Sequence, residues 1–327
     1  MTAKIRYGVL STAQIARNAH IPAARKATNT EIVAISSRDL GRAQEWADKL
    51  GIPKAYGSYD EVLADPDIDA IINPLPNSMH CEWTIKSAQA GKHILCEKPF
   101  AVTVEQAQRM IGAAQAHGVK LMEGFTHRFT PLASFLRENL DSGVIGEVQL
   151  VRTELTYTIA DWETDTRVKR DLAGGALLDA GCYCVNTIRY LMGDEPLGVQ
   201  AYQRIHKPEQ VDSTFTGTMR FPGDRFAYLV TGMEQPFRHC CEVTGTKGWV
   251  WVPNLFAADK AVVVAGGEER TVTFESTNRF QVQLEHFSDC ILADRSPMLT
   301  LKDALGNTAA LVALQQAARE GREVEID

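Results

Sequence analysis

The chain has 327 residues, enough for about two domains at roughly 150 residues each, with 45% apolar and 23% charged residues. Its 34 Lys and Arg against 41 Asp and Glu give a net charge of −7, which excludes a polybasic nucleic-acid footprint and argues against an anionic membrane as partner. No apolar run approaches the roughly 18 residues of a membrane span, and Met1–Arg6 leads into an apolar strand without a signal-peptide core; the seven cysteines, read as reduced, make the cytoplasm the expected compartment.

The first 120 residues or so alternate short apolar runs with helical patterns. Lys4–Leu10, Glu31–Ser36, Ala70–Pro74, His93–Cys96 and Lys120–Met122 read as strands. Ala13–Ala27, Gly41–Leu50, Met79–Ala90 and Thr103–His117 read as helices, two of them stopped by Gly91 and Gly118. This repetition predicts a parallel sheet wrapped by helices, an α/β domain over residues 1–122.

Beyond Val148 the pattern becomes β-rich. Gln149–Thr158, Phe215–Phe221, Phe226–Thr231, His239–Thr244, Trp249–Val252 and Ala261–Val264 are β-branched or aromatic, punctuated by Gly223, Gly245, Gly248 and Gly266–Gly267. Helical patterns occupy Ala176–Met192, Val282–Ala293 and Lys302–Glu320. The expectation for 123–327 is an α+β domain with a mostly antiparallel sheet. The seven cysteines are odd in number and contain no Cys-x-x-Cys, so neither a disulfide framework nor a metal site is expected. Adjacent Cys240 and Cys241, beside His239, would point to opposite faces of a strand.

Between the first strand and first helix lies Ser11-Thr12-Ala13-Gln14-Ile15-Ala16, in the place of the Gly-rich dinucleotide turn. Ser and Ala are the smallest replacements for Gly, so a pyrophosphate can still approach the backbone and the helix N-terminus. The second strand ends in Ser36-Ser37-Arg38, where an NAD site would favour an acidic residue for the ribose 2′-hydroxyl. Ser37 and Arg38 instead suit a 2′-phosphate, so NADP is expected over NAD. Cys96-Glu97-Lys98-Pro99 follows another strand, and a cis Lys98–Pro99 bond there would direct the ammonium toward bound ligand.

These segments, with Ile72-Asn73-Pro74-Leu75-Pro76-Asn77-Ser78-Met79-His80 and Gly174-Gly175-Ala176-Leu177-Leu178-Asp179-Ala180-Gly181-Cys182-Tyr183, resemble the Gfo/Idh/MocA oxidoreductases along the whole chain. Tyr183, where many members have His, and Met122–Phe129 resemble the dihydrodiol dehydrogenase and D-xylose dehydrogenase branch; sugar 3-ketoreductases look similar as well. His127 departs from the Tyr usual there. The resemblance implies hydride transfer between a nicotinamide and a hydroxyl or carbonyl carbon of a sugar, polyol or cyclic substrate. It further implies a Rossmann fold for residues 1–122, a large open sheet in the second domain, and a homodimer or homotetramer built through that sheet. Oxidation of trans-dihydrodiols, and a non-catalytic nucleotide- or sugar-binding regulator, are the alternatives.

Asp179 and Tyr183 are four residues apart and share a helix face. Tyr183 is expected to exchange the proton, Lys98 to hold the substrate oxygen and lower the phenol pKa, and Asp179 to orient a hydroxyl or Lys98. The cofactor residues are expected to be Ser11, Thr12, Ala13, Gln14, Ile15, Ser37, Arg38, Pro74, Leu75, Asn77, His80, Glu97 and Lys98. His80 could equally cap the helix it begins. Substrate contacts are expected from His127, Arg128, Trp162, Arg167 and Phe280.

Overall fold

The computed structural model describes residues 3–326. Strand β1 (Ile5–Val9) feeds a helix whose first part, Ala16–His20, is π-helical and whose second is α1 (Ile21–Ala24). There follow β2 (Thr30–Ser36), α2 (Leu40–Leu50), β3 (Lys54–Tyr56), α3 (Tyr59–Ala64), β4 (Ala70–Asn73), α4 (His80–Gln89), β5 (His93–Cys96), α5 (Val104–Ala116) and β6 (Leu121–Glu123). The strands pair in the order β3-β2-β1-β4-β5-β6, all parallel. That is the doubly wound dinucleotide-binding order.

Local chemistry sets these elements. Asp39 starts α2 by accepting the Arg42 N–H at 3.0 Å, and Thr103 does the same for Gln106 ahead of α5 at 3.1 Å. One face of α5 buries Ala107, Met110 and Ala114 against Ile94, Phe100 and Leu121. Further along the same face of the sheet, Leu10, Val62, Ile71 and Trp83 share a second core. Gly8 is required by that packing, since a Cβ there would lie 2.8 Å from Val62 Cγ1.

The second part of the chain begins with α6 (Pro131–Asp141) and β7 (Val148–Thr158). A π-helical turn, Leu177–Gly181, leads into α7 (Cys182–Met192). Strands β8 (Gly198–His206), β9 (Val211–Phe221), β10 (Arg225–Gly232), β11 (Glu234–Gly245), β12 (Gly248–Val252), β13 (Lys260–Ala265) and β14 (Glu268–Thr273) follow. After α8 (Arg279–Leu292) and α9 (Leu301–Glu320) the chain closes with β15 (Val324–Glu325). The nine-stranded sheet runs β14-β13-β12-β11-β7-β10-β9-β8-β15 and is antiparallel except for the β10–β7 pair. Leu314 of α9 packs so closely on β9 that a Cβ at Gly217 would lie 2.6 Å from it.

By their contacts the residues form two units, Met1–Phe129 with Asn278–Leu305, and Thr130–Thr277 with Gly306–Asp327. Helix α8 thus returns to the unit that holds the parallel sheet. Ser288 of α8 bonds both Tyr7 and Thr30 at 2.9 Å, and Asn29 donates to Asp289 at 2.7 Å. Among the described residues no helix is long and apolar enough to cross a membrane.

Candidate active site

In the first unit the turn after β1 holds Ser11 at φ +76, a left-handed backbone that only glycine adopts freely. A non-glycine residue held there marks local backbone strain of the kind that clusters at ligand sites. Gln14 and Ile15 at the helix start are exposed, and the first N–H groups of a helix have no intrahelical acceptor. At the end of β2, Ser37 is buried and its hydroxyl accepts the Asp39 N–H at 3.3 Å, while Arg38 is exposed. Burial pushes the Tyr59 phenol up, and the charges of Arg38 and Arg42 pull it down. A strained turn, open helix N–H groups and this pair of cations are a donor set that fits a dinucleotide phosphate.

Around Lys98 the sequence is tied down on both sides. The Lys98–Pro99 peptide is cis. Glu97 accepts from His20 Nε2 at 2.7 Å with Oε1 and from the Lys98 N–H at 3.3 Å with Oε2. Burial pushes the Glu97 carboxyl up, but the His20 hydrogen bond and the nearby positive charges outweigh it and hold the pKa below the usual value. His20 is itself fully buried at the end of the π-helical turn, with the Phe280 ring edge-on to it at 5.2 Å. His80 is also fully buried: Nδ1 lies 2.8 Å from Pro99 O and Nε2 2.8 Å from Leu75 O. Asn73 supports this turn, accepting the Leu75 N–H at 3.4 Å and donating to Thr84 at 3.3 Å.

In the second unit, Asp179 and Tyr183 are the only side chains from Gly175 to Arg189 that are not buried. The Tyr157 hydroxyl, from β7, donates to Asp179 Oδ2. Burial and the Asp179 charge raise the Tyr157 pKa far above that of a free phenol, so it stays a donor. Arg167 lies 5.2 Å above the Tyr157 ring and is fixed by two side-chain bonds to Asp165, at 2.9 and 2.6 Å. The Tyr183 ring meets Phe256 edge-on at 5.2 Å. The helix start is set by Asp212 of β9, whose Oδ2 accepts the Leu177 N–H at 2.7 Å. Gly175 is obligatory beside it: its φ is +125, and a Cβ would fall 2.1 Å from Asp212 Oδ1. Burial pushes the Asp212 carboxyl up to about 7 against the pull of the backbone N–H groups.

Residues 5–125 match the oxidoreductase family with an NAD-binding Rossmann fold, and residues 134–251 match the GFO/IDH/MocA C-terminal domain. The chain is 32% identical to D-xylose 1-dehydrogenase (NADP(+)) 2 of Haloferax volcanii over 98% of its own length and 99% of that protein's. It is 32% identical to trans-1,2-dihydrobenzene-1,2-diol dehydrogenase of Xenopus laevis, over 91% and 93% of the two chains. A crystal structure of aldose-aldose oxidoreductase from Caulobacter crescentus, complexed with glycerol, superimposes with a TM-score of 0.92 at 30% identity, covering 99% and 100%. The chain belongs to the Gfo/Idh/MocA oxidoreductase family. It is an oxidoreductase.

Within this Gfo/Idh/MocA chain, the structure gathers Pro74, Leu75, His80, Glu97, Lys98 and Phe280 in the first unit, and Asp179, Tyr183 and Arg167 in the second. Several side chains depart from their expected surroundings. The His80 ring is enclosed between two carbonyls, and its side chain does not cap α4. Glu97 likewise spends both oxygens inside the protein. His127 is 5% exposed and edge-on to Phe125, and Arg128 is drawn inward within 4.0 Å of Asp303. Trp162 stacks on His206 at 4.0 Å, against the β8–β9 hairpin. His20, Tyr157 and Asp212 carry structural roles that no motif marks. Asp212 alone left a trace, as an acidic residue between Val211 and Ser213 in a strand-like run.

Proposed function

We propose that the protein is an NADP(H)-dependent oxidoreductase that transfers a hydride between nicotinamide and a hydroxyl or carbonyl carbon of a sugar or related polyol or cyclic substrate. The observation that carries this reading is the pairing of Tyr183 with an Asp179 held by a second tyrosine, as the only unburied side chains of a helix segment. The bound nicotinamide would accept or supply the hydride. In the oxidative direction the substrate hydroxyl gives its proton to Tyr183 Oη, which passes it to water. Lys98 holds the substrate oxygen and, as a cation, lowers the phenol from its ordinary pKa of about 10. Asp179, fixed by Tyr157, accepts a neighbouring substrate hydroxyl.

The Ser37–Arg38 corner supports NADP over NAD, as does the cofactor in the name of the Haloferax relative. Arg38→Ala is expected to raise the KM for NADP roughly tenfold to a hundredfold and to leave that for NAD unchanged. A panel of pentoses, hexoses, dihydrodiols and diketones, assayed by nicotinamide absorbance with both cofactors, tests the whole reading. Preference for NAD would overturn the cofactor assignment. Turnover of dihydrodiols alone would favour the second reading, supported by the Xenopus relative. Tight nucleotide binding without any turnover would favour a regulator, against which the presence of Lys98, Asp179 and Tyr183 speaks.

Tyr202, Phe226 and Tyr228 are exposed on one face of the nine-stranded sheet, which supports a homodimer or homotetramer through that face. Phe226→Asp with Tyr228→Asp is expected to yield a lighter species in analytical ultracentrifugation. All seven cysteines are buried and unbridged, in keeping with a reducing compartment such as the cytoplasm.

A further inference from the structure

His80 stands between two groups of the same kind. Pro99 O and Leu75 O are each 2.8 Å from a ring nitrogen, and a carbonyl oxygen can only accept. A neutral imidazole carries one N–H, so in that state one nitrogen would turn a lone pair toward a carbonyl at hydrogen-bond distance. Only the imidazolium, with two N–H groups, satisfies both contacts. We propose that His80 is a positioning residue with a proton-dependent grip: as imidazolium it ties the Lys98–Pro99 turn to the Pro74–Leu75 turn, and as neutral imidazole it holds only one of them. The reaction's need for that grip rests on the assignment of Lys98 above.

The surroundings set the pH at which the grip changes. Burial pushes the imidazole down, while the two carbonyls and Glu97 raise it and Lys98 lowers it, leaving it below the ordinary value of about 6.5. Glu97 is in turn bonded to His20, and Glu123 of β6 takes the Phe100 N–H at 2.8 Å. The two-sided grip is therefore complete in acid and is lost as the pH rises through a value below that of free histidine.

Side-chain 15N spectra of the histidine-labelled, cofactor-free protein, recorded from about pH 5 to 8, read the charge of this ring directly. His80 is assigned by the signal missing in His80→Gln. Two N–H-bearing ring nitrogens at the acid end, converting to one neutral tautomer as pH rises, are expected; a neutral tautomer throughout would overturn the proposal. In turnover, wild type should lose rate as pH rises through the same titration. His80→Gln, with one amide donor, should fall between wild type and His80→Phe, the latter slower by about tenfold to a hundredfold and without that pH step. Wild-type rates in both variants would overturn the positioning role. If the variants fail to fold, the ring is assigned instead by through-bond correlation to the His80 backbone, and the wild-type titration still decides the charge. Should Lys98→Met remain active, the assignment of Lys98 fails, while the ring titration remains readable by itself.

Discussion

Tyr183→Phe and Lys98→Met should each lower kcat by about two to four orders of magnitude, while both still bind NADPH, as followed by fluorescence. The size follows from proton transfer by a positioned side chain, which contributes roughly 10²–10⁴-fold. Phe at 183 keeps the ring that meets Phe256 edge-on and removes only the hydroxyl, so packing is preserved. Met at 98 keeps the length of the stem and removes the charge. Near-wild-type rates in both variants would remove the proton-transfer assignment and leave the family membership untouched.

The second large effect concerns stability. The Asp212 carboxyl rises from 3.8 to about 7 on folding, so the native state holds a proton that the unfolded chain has released across that interval. Stability is then fully present below about pH 4 and falls as the pH rises toward 7, with no further change from this group above it. A shift of about three units corresponds to about 4 kcal/mol. Asp212→Asn keeps an oxygen for the Leu177 N–H and carries no ionisable group, so its urea midpoint should lose that slope and exceed wild type at pH 8. An unchanged slope between pH 4 and 7 would show that the carboxylate is ionised in the fold, stabilised by the N–H groups at the helix start.

Much of the architecture is written locally. The runs ending in Val9, Ser36, Asn73 and Cys96 are short and almost wholly apolar, as buried parallel strands must be, and the Asp39 and Thr103 caps mark where α2 and α5 begin. Lys54–Ala64 was not legible: β3 has three residues and α3 six, too few for either periodicity to show. β8 escaped for another reason, since Tyr202, Arg204 and Ile205 on its exposed stretch break the apolar alternation. At the site, residue types and their order could be read, whereas their partners could not. His20 meets Glu97 across 77 residues, Asp212 meets Leu177 across 35, and Tyr157 meets Asp179 across 22. Only the fold brings such pairs together. The inward turn of His127 and Arg128 likewise depends on Phe125 and Asp303, which no local pattern connects to them.

The two π-helical turns bear on how relatives of this chain are to be compared. Ala16–His20 ends in the histidine that holds Glu97, and Leu177–Gly181 contains Asp179. A π turn is a single-residue insertion into an α-helix, and such turns concentrate at functional sites. A homologue lacking one residue in either stretch would keep its helix and all its motif letters, yet present a different face from that point on. Gap placement at these two positions, as much as residue identity, therefore records whether a homologue has inherited the geometry of the site.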